Sequence, residues 1–167
     1  VDIKVKRLTE TAKMPTKAHK TDACFDLYVD EPNSTYSDYE KNPDTMKLKF
    51  VSDIPGIKIE PHSTVKLHSG ISTEIPSGYF CAVFPRSGLG IKQNLRLPNG
   101  TGIIDADYRG EWIIALFNDS DEQRIIHHGD RVAQFAVLPV PKVNLVEVDE
   151  LTDTERGDGG FGSTGVK

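Results

Sequence analysis

The feature that most narrows the fold of this chain is an apolar period of two, repeated in segment after segment. Val1, Ile3 and Val5 alternate with polar residues, as do Met46, Leu48 and Phe50, then Val65 and Leu67, then Ile71, Thr73 and Ile75. Successive side chains of a strand point to opposite faces, so this alternation describes strands with one dry face. Val143, Leu145, Val146 and Val148 repeat it imperfectly and predict a further strand near the C-terminus. Continuous apolar runs at 79–84, 112–117 and 132–140 read as strands buried on both faces. No long stretch carries apolar residues at i, i+3, i+4 and i+7, and the best helical candidate is one short turn at 89–93. Pro55-Gly56, Pro76-Ser77-Gly78, Pro98-Asn99-Gly100 and His128-Gly129-Asp130 punctuate the runs. Many short strands cut by Gly and Pro predict an all-β fold, a sandwich or barrel with the jelly roll as the best-fitting form.

At 167 residues the chain suits one domain. Two stretches depart from the pattern. Residues 30–45, DEPNSTYSDYEKNPDT, are acidic and lack apolar period, which predicts a solvated loop insertion at a sheet edge; a partner-binding insertion is the sharper alternative. The Gly-rich end after Arg156 is no strand, yet it holds an aromatic, Phe161. The formal charge of −5, with no Lys/Arg block, argues against a general nucleic-acid binder. No apolar run approaches the ~20 residues of a membrane span. The first residues, VDIKVKRLTE, lack the core of a signal peptide. Cys24 and Cys81 fit a reducing compartment as free thiols, so a cytoplasmic protein is expected.

Four of the seven arginines adjoin small, flexible residues: Arg86-Ser87-Gly88, Arg109-Gly110, Asp130-Arg131 after Gly129, and Arg156-Gly157. Guanidinium forks match phosphate oxygens, and neighbouring Gly lets backbone N–H groups approach an anion. Together they point to a polyphosphate ligand. The tail has P-loop spacing, but Ser163 stands where the Lys belongs and no helix can follow before Lys167, so a P-loop is rejected. In 102–111, GIIDADYRGE, Asp105 follows two Ile residues; besides a plain hairpin turn, this suggests a partly desolvated general base, with Tyr108 placed to stack on a sugar or base. The five histidines have no metal-ligand spacing. A Mg²⁺ held by substrate phosphates would leave no such signature.

These residues fall into five motifs in order: Ala23-Cys24-Phe25-Asp26-Leu27; Pro85-Arg86-Ser87-Gly88-Leu89-Gly90; Gly102 through Glu111; Gly129-Asp130-Arg131-Val132-Ala133-Gln134; and Arg156-Gly157-Asp158-Gly159-Gly160-Phe161-Gly162-Ser163-Thr164-Gly165. In that order the chain resembles the trimeric dUTPases, which hydrolyse dUTP to dUMP and pyrophosphate. The resemblance implies a distorted jelly-roll β domain over 1–155 and a flexible lid over 156–167. It implies that Asp105 activates water, that Tyr108 packs on the deoxyribose, and that Asn99 with the hairpin backbone at Gly102 and Ile104 reads uracil. Arg86, Ser87, Gly88 and Gln134 would hold phosphates. Arg156, Gly162, Ser163 and Thr164 would close on the outer phosphates, with Phe161 over the uracil ring. Asp26 would meet Mg²⁺ through water, the ion resting mainly on the triphosphate. It further implies a homotrimer with sites shared between subunits. Phage- and virus-encoded relatives carry elaborations such as the 30–45 stretch, and the first motif departs from the family in having Cys24 where Gly is usual. Two rivals remain at this point, a dCTP deaminase of the same fold and a regulatory protein-binding module acting through 30–45.

Overall fold

The computed structural model describes residues 1–41 and 48–160. In chain order its elements are β1 (Lys4–Arg7), β2 (Phe25–Tyr28), β3 (Thr35–Lys41), β4 (Leu48–Pro55), β5 (Ile57–Ile59), β6 (Thr64–His68), β7 (Ile71–Glu74), β8 (Tyr79–Pro85), α1 (Ser87–Gln93), β9 (Leu95–Arg96), β10 (Gly102–Ile104), β11 (Ile113–Asn118), β12 (Arg124–Ile126) and β13 (Arg131–Pro139). The fold is all-β, of jelly-roll type, with one short helix among the described residues. No described helix is long and apolar enough to cross a membrane.

The segments predicted from alternation form strands at β1, β4, β6 and β7, although β7 is buried on both faces at Ile71, Ser72 and Thr73 rather than one-sided. The central sheet runs β10-β8-β13-β2, and a second runs β6-β11-β9. Between them lies a core of Leu27, Val29, Leu67, Cys81, Leu116 and Val132, all essentially inaccessible to solvent. Trp112 is buried edge-on to Phe135, with ring centroids 4.9 Å apart, and its indole N–H donates to Thr73 Oγ1 at 3.2 Å. That bond answers the one polar atom the ring takes into the core.

Three expectations change. The runs at 112–117 and 132–140 are not buried on both faces: β11 alternates, with Ile114 and Leu116 inside and Ile113 exposed, and β13 leaves Leu138 exposed at its end. Instead of a strand at 143–148, the chain leaves β13 and runs without secondary structure, its apolar side chains outside. No described strand pairs with this segment. Nor is 30–45 a loop throughout. Thr35–Lys41 pairs antiparallel with Leu48–Pro55 as a separate two-stranded sheet, while 42–47 lies outside the described residues. A hairpin needs no dry face to hold its ladder, so a polar sequence can form one without showing an apolar period.

The turn between β6 and β7 fixes one wall of the site described below. Gly70 there has φ +66° and is buried. A Cβ at this position would land on the Asp30 carboxylate and 2.6 Å from Ala12 Cβ. Strain and collision act together, so Gly70→Ala should lower the unfolding free energy by about 2–4 kcal/mol, read from urea denaturation.

Candidate active site

Strand register assembles one half of the site. β13 lies between β2 and β8, and its pairing sets Gln134 opposite Asp26 on one side and Phe84 on the other. A register shift between Arg131 and Ala133 turns Arg131 out of the ladder rhythm at its start. Three strands thus converge on the Asp26 carboxylate, which is buried. Arg86 donates from Nε to Oδ1 at 2.8 Å, and Arg131 donates from a terminal nitrogen to Oδ2 at 3.1 Å. Arg86 also donates to the Arg131 carbonyl at 3.2 Å, and the Gln134 amide to the Pro85 carbonyl at 3.0 Å. α1 begins directly after Arg86 with no side-chain cap and no acidic residue in its first turn, and Ser87 and Gly88 there are exposed. A cleft of about 330 Å³ is lined by Asp22, Cys24, Asp26, Arg86, Ser87, Arg131 and Gln134. Two oriented guanidinium groups beside hydroxyl and amide donors make an anion cradle.

The other half hangs on the opposite edge of β8. β10 pairs there, Gly102 against Val83 and Ile104 against Cys81. A Cβ on Gly102 would sit 3.2 Å from Val83 Cβ, a tight contact, and 3.8 Å from the Asn99 side-chain amide, an ordinary one. Asn99, Gly102 and Ile104 line one cleft; Ile104, Asp105, Tyr108 and Glu111 line a neighbouring one of about 270 Å³. The Tyr108 ring folds back over Gly110, where a Cβ would lie 2.6 Å from the ring carbon that bears the hydroxyl. Its hydroxyl donates to the Glu111 carbonyl at 2.9 Å.

Sequence reasoning placed Asp105 at the edge of the core, partly desolvated. In the single chain it is exposed, because β10 ends at Ile104 and Asp105 opens the following turn, its carbonyl accepting from Tyr108 N at 3.2 Å. The four arginines beside small residues do not act alike. Arg86 and Arg131 converge, whereas Arg109 bonds the Ala106 and Tyr108 carbonyls of its own loop at 2.7 and 3.0 Å. Arg156 is exposed and donates to the Gly159 carbonyl at 2.9 Å in a local turn, away from either cleft. Phe161, Gly162, Ser163 and Thr164 lie outside the described residues. Arg131 and Cys24 were not in the expected binding set. The Gly129-Asp130-Arg131 run was the signal available for the first, and nothing in the sequence places the second in an anion cleft.

Among the described residues no three His, Cys, Asp or Glu groups are clustered to hold a metal. Both Asp26 oxygens already accept from arginine. That donor set suits a cation brought in by phosphates and met through water, not one bound directly.

A family model described as dUTPase matches residues 51–165. The chain is 39% identical over 163 residues to the deoxyuridine 5'-triphosphate nucleotidohydrolase of Hydrogenobaculum sp., covering 98% of this chain and 97% of that one. It is 37% identical over 166 residues to the Alkaliphilus metalliredigens protein of the same name, covering 99% of both. Among solved structures, a dUTPase of Staphylococcus bacteriophage 80alpha with dUPNHPP superposes with a TM-score of 0.78 at 27% identity, covering 99% of each chain.

The two thiols should separate chemically. Burial pushes the Cys81 thiol up to about 11, and its side chain is sealed in the core. Cys24 is only half-buried and lines the anion cleft. At neutral pH an alkylating reagent should modify Cys24 alone, and Cys81 only after denaturation; peptide mass mapping reads the sites. A polyphosphate in the cleft should slow the first reaction.

Proposed function

The chain belongs to the dUTPase family and acts as a dUTP nucleotidohydrolase, and we propose that Asp105 activates the water that releases pyrophosphate. The observation that carries this reading is the division of the central sheet. An anion cradle of Arg86, Ser87, Arg131 and Gln134 lies on one side of β8, and a hairpin bearing Asn99, Asp105 and Tyr108 lies on the other. A deoxynucleoside triphosphate has the same division, an uncharged head and an anionic tail.

In this reading Arg86, Ser87, Gly88 and Gln134 hold the phosphates, with Arg131 as an added donor. Asn99 and the backbone at Gly102 and Ile104 read the uracil edge. Tyr108 packs on the deoxyribose and crowds a ribose 2′-hydroxyl. Asp26 would meet a Mg²⁺ carried by the triphosphate through water, and the ion, when bound, would neutralise charge developing on the pyrophosphate. Arg156, Phe161, Gly162, Ser163 and Thr164 belong to a lid over 156–167 that closes on the outer phosphates and the base, excluding water and drying Asp105. The domain proper is 1–155. In the cell, the reaction limits uracil incorporation into DNA and supplies dUMP for thymidylate synthesis in the cytoplasm. Losing a general base costs on the order of 10²–10⁴-fold in rate, so Asp105→Asn should lose pyrophosphate release by that order while still binding dUTP. Near-normal turnover would overturn the assignment, and ammonia release from dCTP by the unaltered chain would favour a deaminase instead.

The working form is a homotrimer whose sites are shared between copies. The support is the segment after β13, where Val143, Leu145, Val146 and Leu151 are 72%, 92%, 70% and 87% exposed. A contiguous apolar strip of this kind is stable in water when another surface covers it. Leu145→Asp combined with Leu151→Asp should shift the sedimentation coefficient toward that of a monomer, and dUTP hydrolysis should fall with it.

A further inference from the structure

We infer, on the basis of the nucleoside site proposed above, that His68 is a positioning residue: by clamping the Glu111 carboxylate it fixes the loop that holds Tyr108. Glu111 closes the loop that Asp105 opens, and both its carboxylate oxygens reach back to the β6–β7 turn. His68 Nδ1 lies 2.8 Å from Oε2, and Gly70 N donates to Oε1 at 2.8 Å. The Glu111 carbonyl accepts from the Tyr108 hydroxyl at 2.9 Å. A single residue therefore joins a fixed turn of the core to the aromatic ring at the mouth of the cleft. Arg109 cannot substitute for it, because its hydrogen bonds stay inside the loop.

The turn that supplies the clamp is held on every side. His68 O accepts from Asp30 N at 2.8 Å, Gly70 O accepts from Leu8 N at 2.7 Å, and His68 N donates to Glu31 Oε1 at 3.2 Å. The Asp30 carboxylate that abuts Gly70 is itself fixed by the Thr9 and Thr11 hydroxyls. A rigid anchor of this sort transmits geometry where a loose surface pair would not.

The charged groups facing His68 are Glu111, Glu31 and Asp30. Behind them, His128 Nδ1 accepts from Glu31 N at 3.2 Å and stands 3.7 Å from Asp30. Chiefly through its hydrogen bond to Glu111, His68 is held protonated above its usual 6.5, with partial burial opposing and the three carboxylates adding to it. The pair is therefore fully charged below the ordinary histidine value, and its charge assistance disappears as pH rises through the raised one. Loosening begins above the ordinary histidine value and grows with alkalinity.

Steady-state dUTP hydrolysis from about pH 6 to about pH 8.5 tests the assignment across the window in which histidine titrates. At the acid end, His68→Ala should raise KM about fivefold with kcat within about twofold, the order expected when one charge-assisted hydrogen bond to a binding element is lost. The ratio of variant to native KM should shrink as pH rises without reaching one, because neutral His68 can still donate from Nδ1 but loses the charge assistance. His68→Asn keeps a neutral donor near the Nδ1 position and should recover the part of the affinity that the native chain keeps at alkaline pH; it also serves as the readable variant should His68→Ala fold poorly. Combining His68→Ala with Glu111→Gln should add little beyond either change alone. A native KM in His68→Ala, a variant-to-native ratio that does not change with pH, or a fall in melting temperature with KM unmoved would overturn the inference. Tyr108→Ala separates this failure from failure of the underlying site. If it raises KM while His68→Ala does not, the clamp alone is wrong; if it leaves KM unmoved, the nucleoside lies elsewhere.

Discussion

A buried carboxylate shared by two guanidinium groups organises the site. Asp26 on β2 is nearly sealed from solvent, and a lone charge there would be costly; Arg86 and Arg131 offset that cost by each taking one oxygen. The reverse also holds. Two arginines drawn to one spot repel each other, and Asp26 is the counter-charge that lets them stand together before any anion arrives. The cluster carries a net single positive charge with both forks already oriented, so little reorganisation remains when phosphate binds. Strand register delivers the parts of the cradle to this contact. The bulge at the start of β13 brings Arg131 to it, the end of β8 brings Arg86, and Gln134 is registered opposite Asp26 on the strand between.

β8 is the spine that relates the two halves. Its ladder to β13 sets the Arg86–Arg131 cluster and its ladder to β10 sets the hairpin that bears Asp105 and Tyr108, so both are referenced to one strand of the core rather than to flexible loops. Reactions that depend on placing a water against a phosphorus gain most from such shared referencing, since small misplacements are expensive in rate. The hairpin needs a second support, because β10 is only three residues long. Glu111 supplies it by reaching the β6–β7 turn, and the loop is thereby fixed at both ends: at Ile104 by the sheet, at Glu111 by side-chain bonds.

How much of this could be read in the sequence follows from what alternation records. β1, β6 and β7 were legible because each alternates apolar with polar residue types over several positions. β2, β5 and β12 are three or four residues long, too short for a period to declare itself. The 143–148 stretch alternates like a strand and is none in this chain, because alternation reports apolar spacing and says nothing of an edge to pair with. Polar TYSDYEK gave the opposite error, a strand with no apolar period, since its ladder partner is the neighbouring strand of its own hairpin. Within the site, the motifs located Arg86, Gln134, Asn99 and Tyr108 on the walls of their clefts. Proximity of Arg to Gly could not separate Arg131, which reaches Asp26, from Arg109, which serves its own loop; register decides that, and register is not local. His68 was invisible for the same reason, because its partner lies 43 positions away and no spacing rule links them.

The overall acidity of the chain and its affinity for a polyanion are compatible because they act over different distances. The excess of 25 acidic over 20 basic residues sets the far field, but at physiological salt that field fades over about 8 Å. A long nucleic acid must lie across many surface carboxylates at once and meets the average. A triphosphate meets only the cleft, where Asp26 is already held by two arginines, Asp22 accepts from His19 N, and the remaining polar groups, Ser87 and Gln134, are uncharged. The acidic surface then acts as a filter: it disfavours extended polyanions while leaving a compact one free to reach the cleft where Arg86 and Arg131 are fixed side by side.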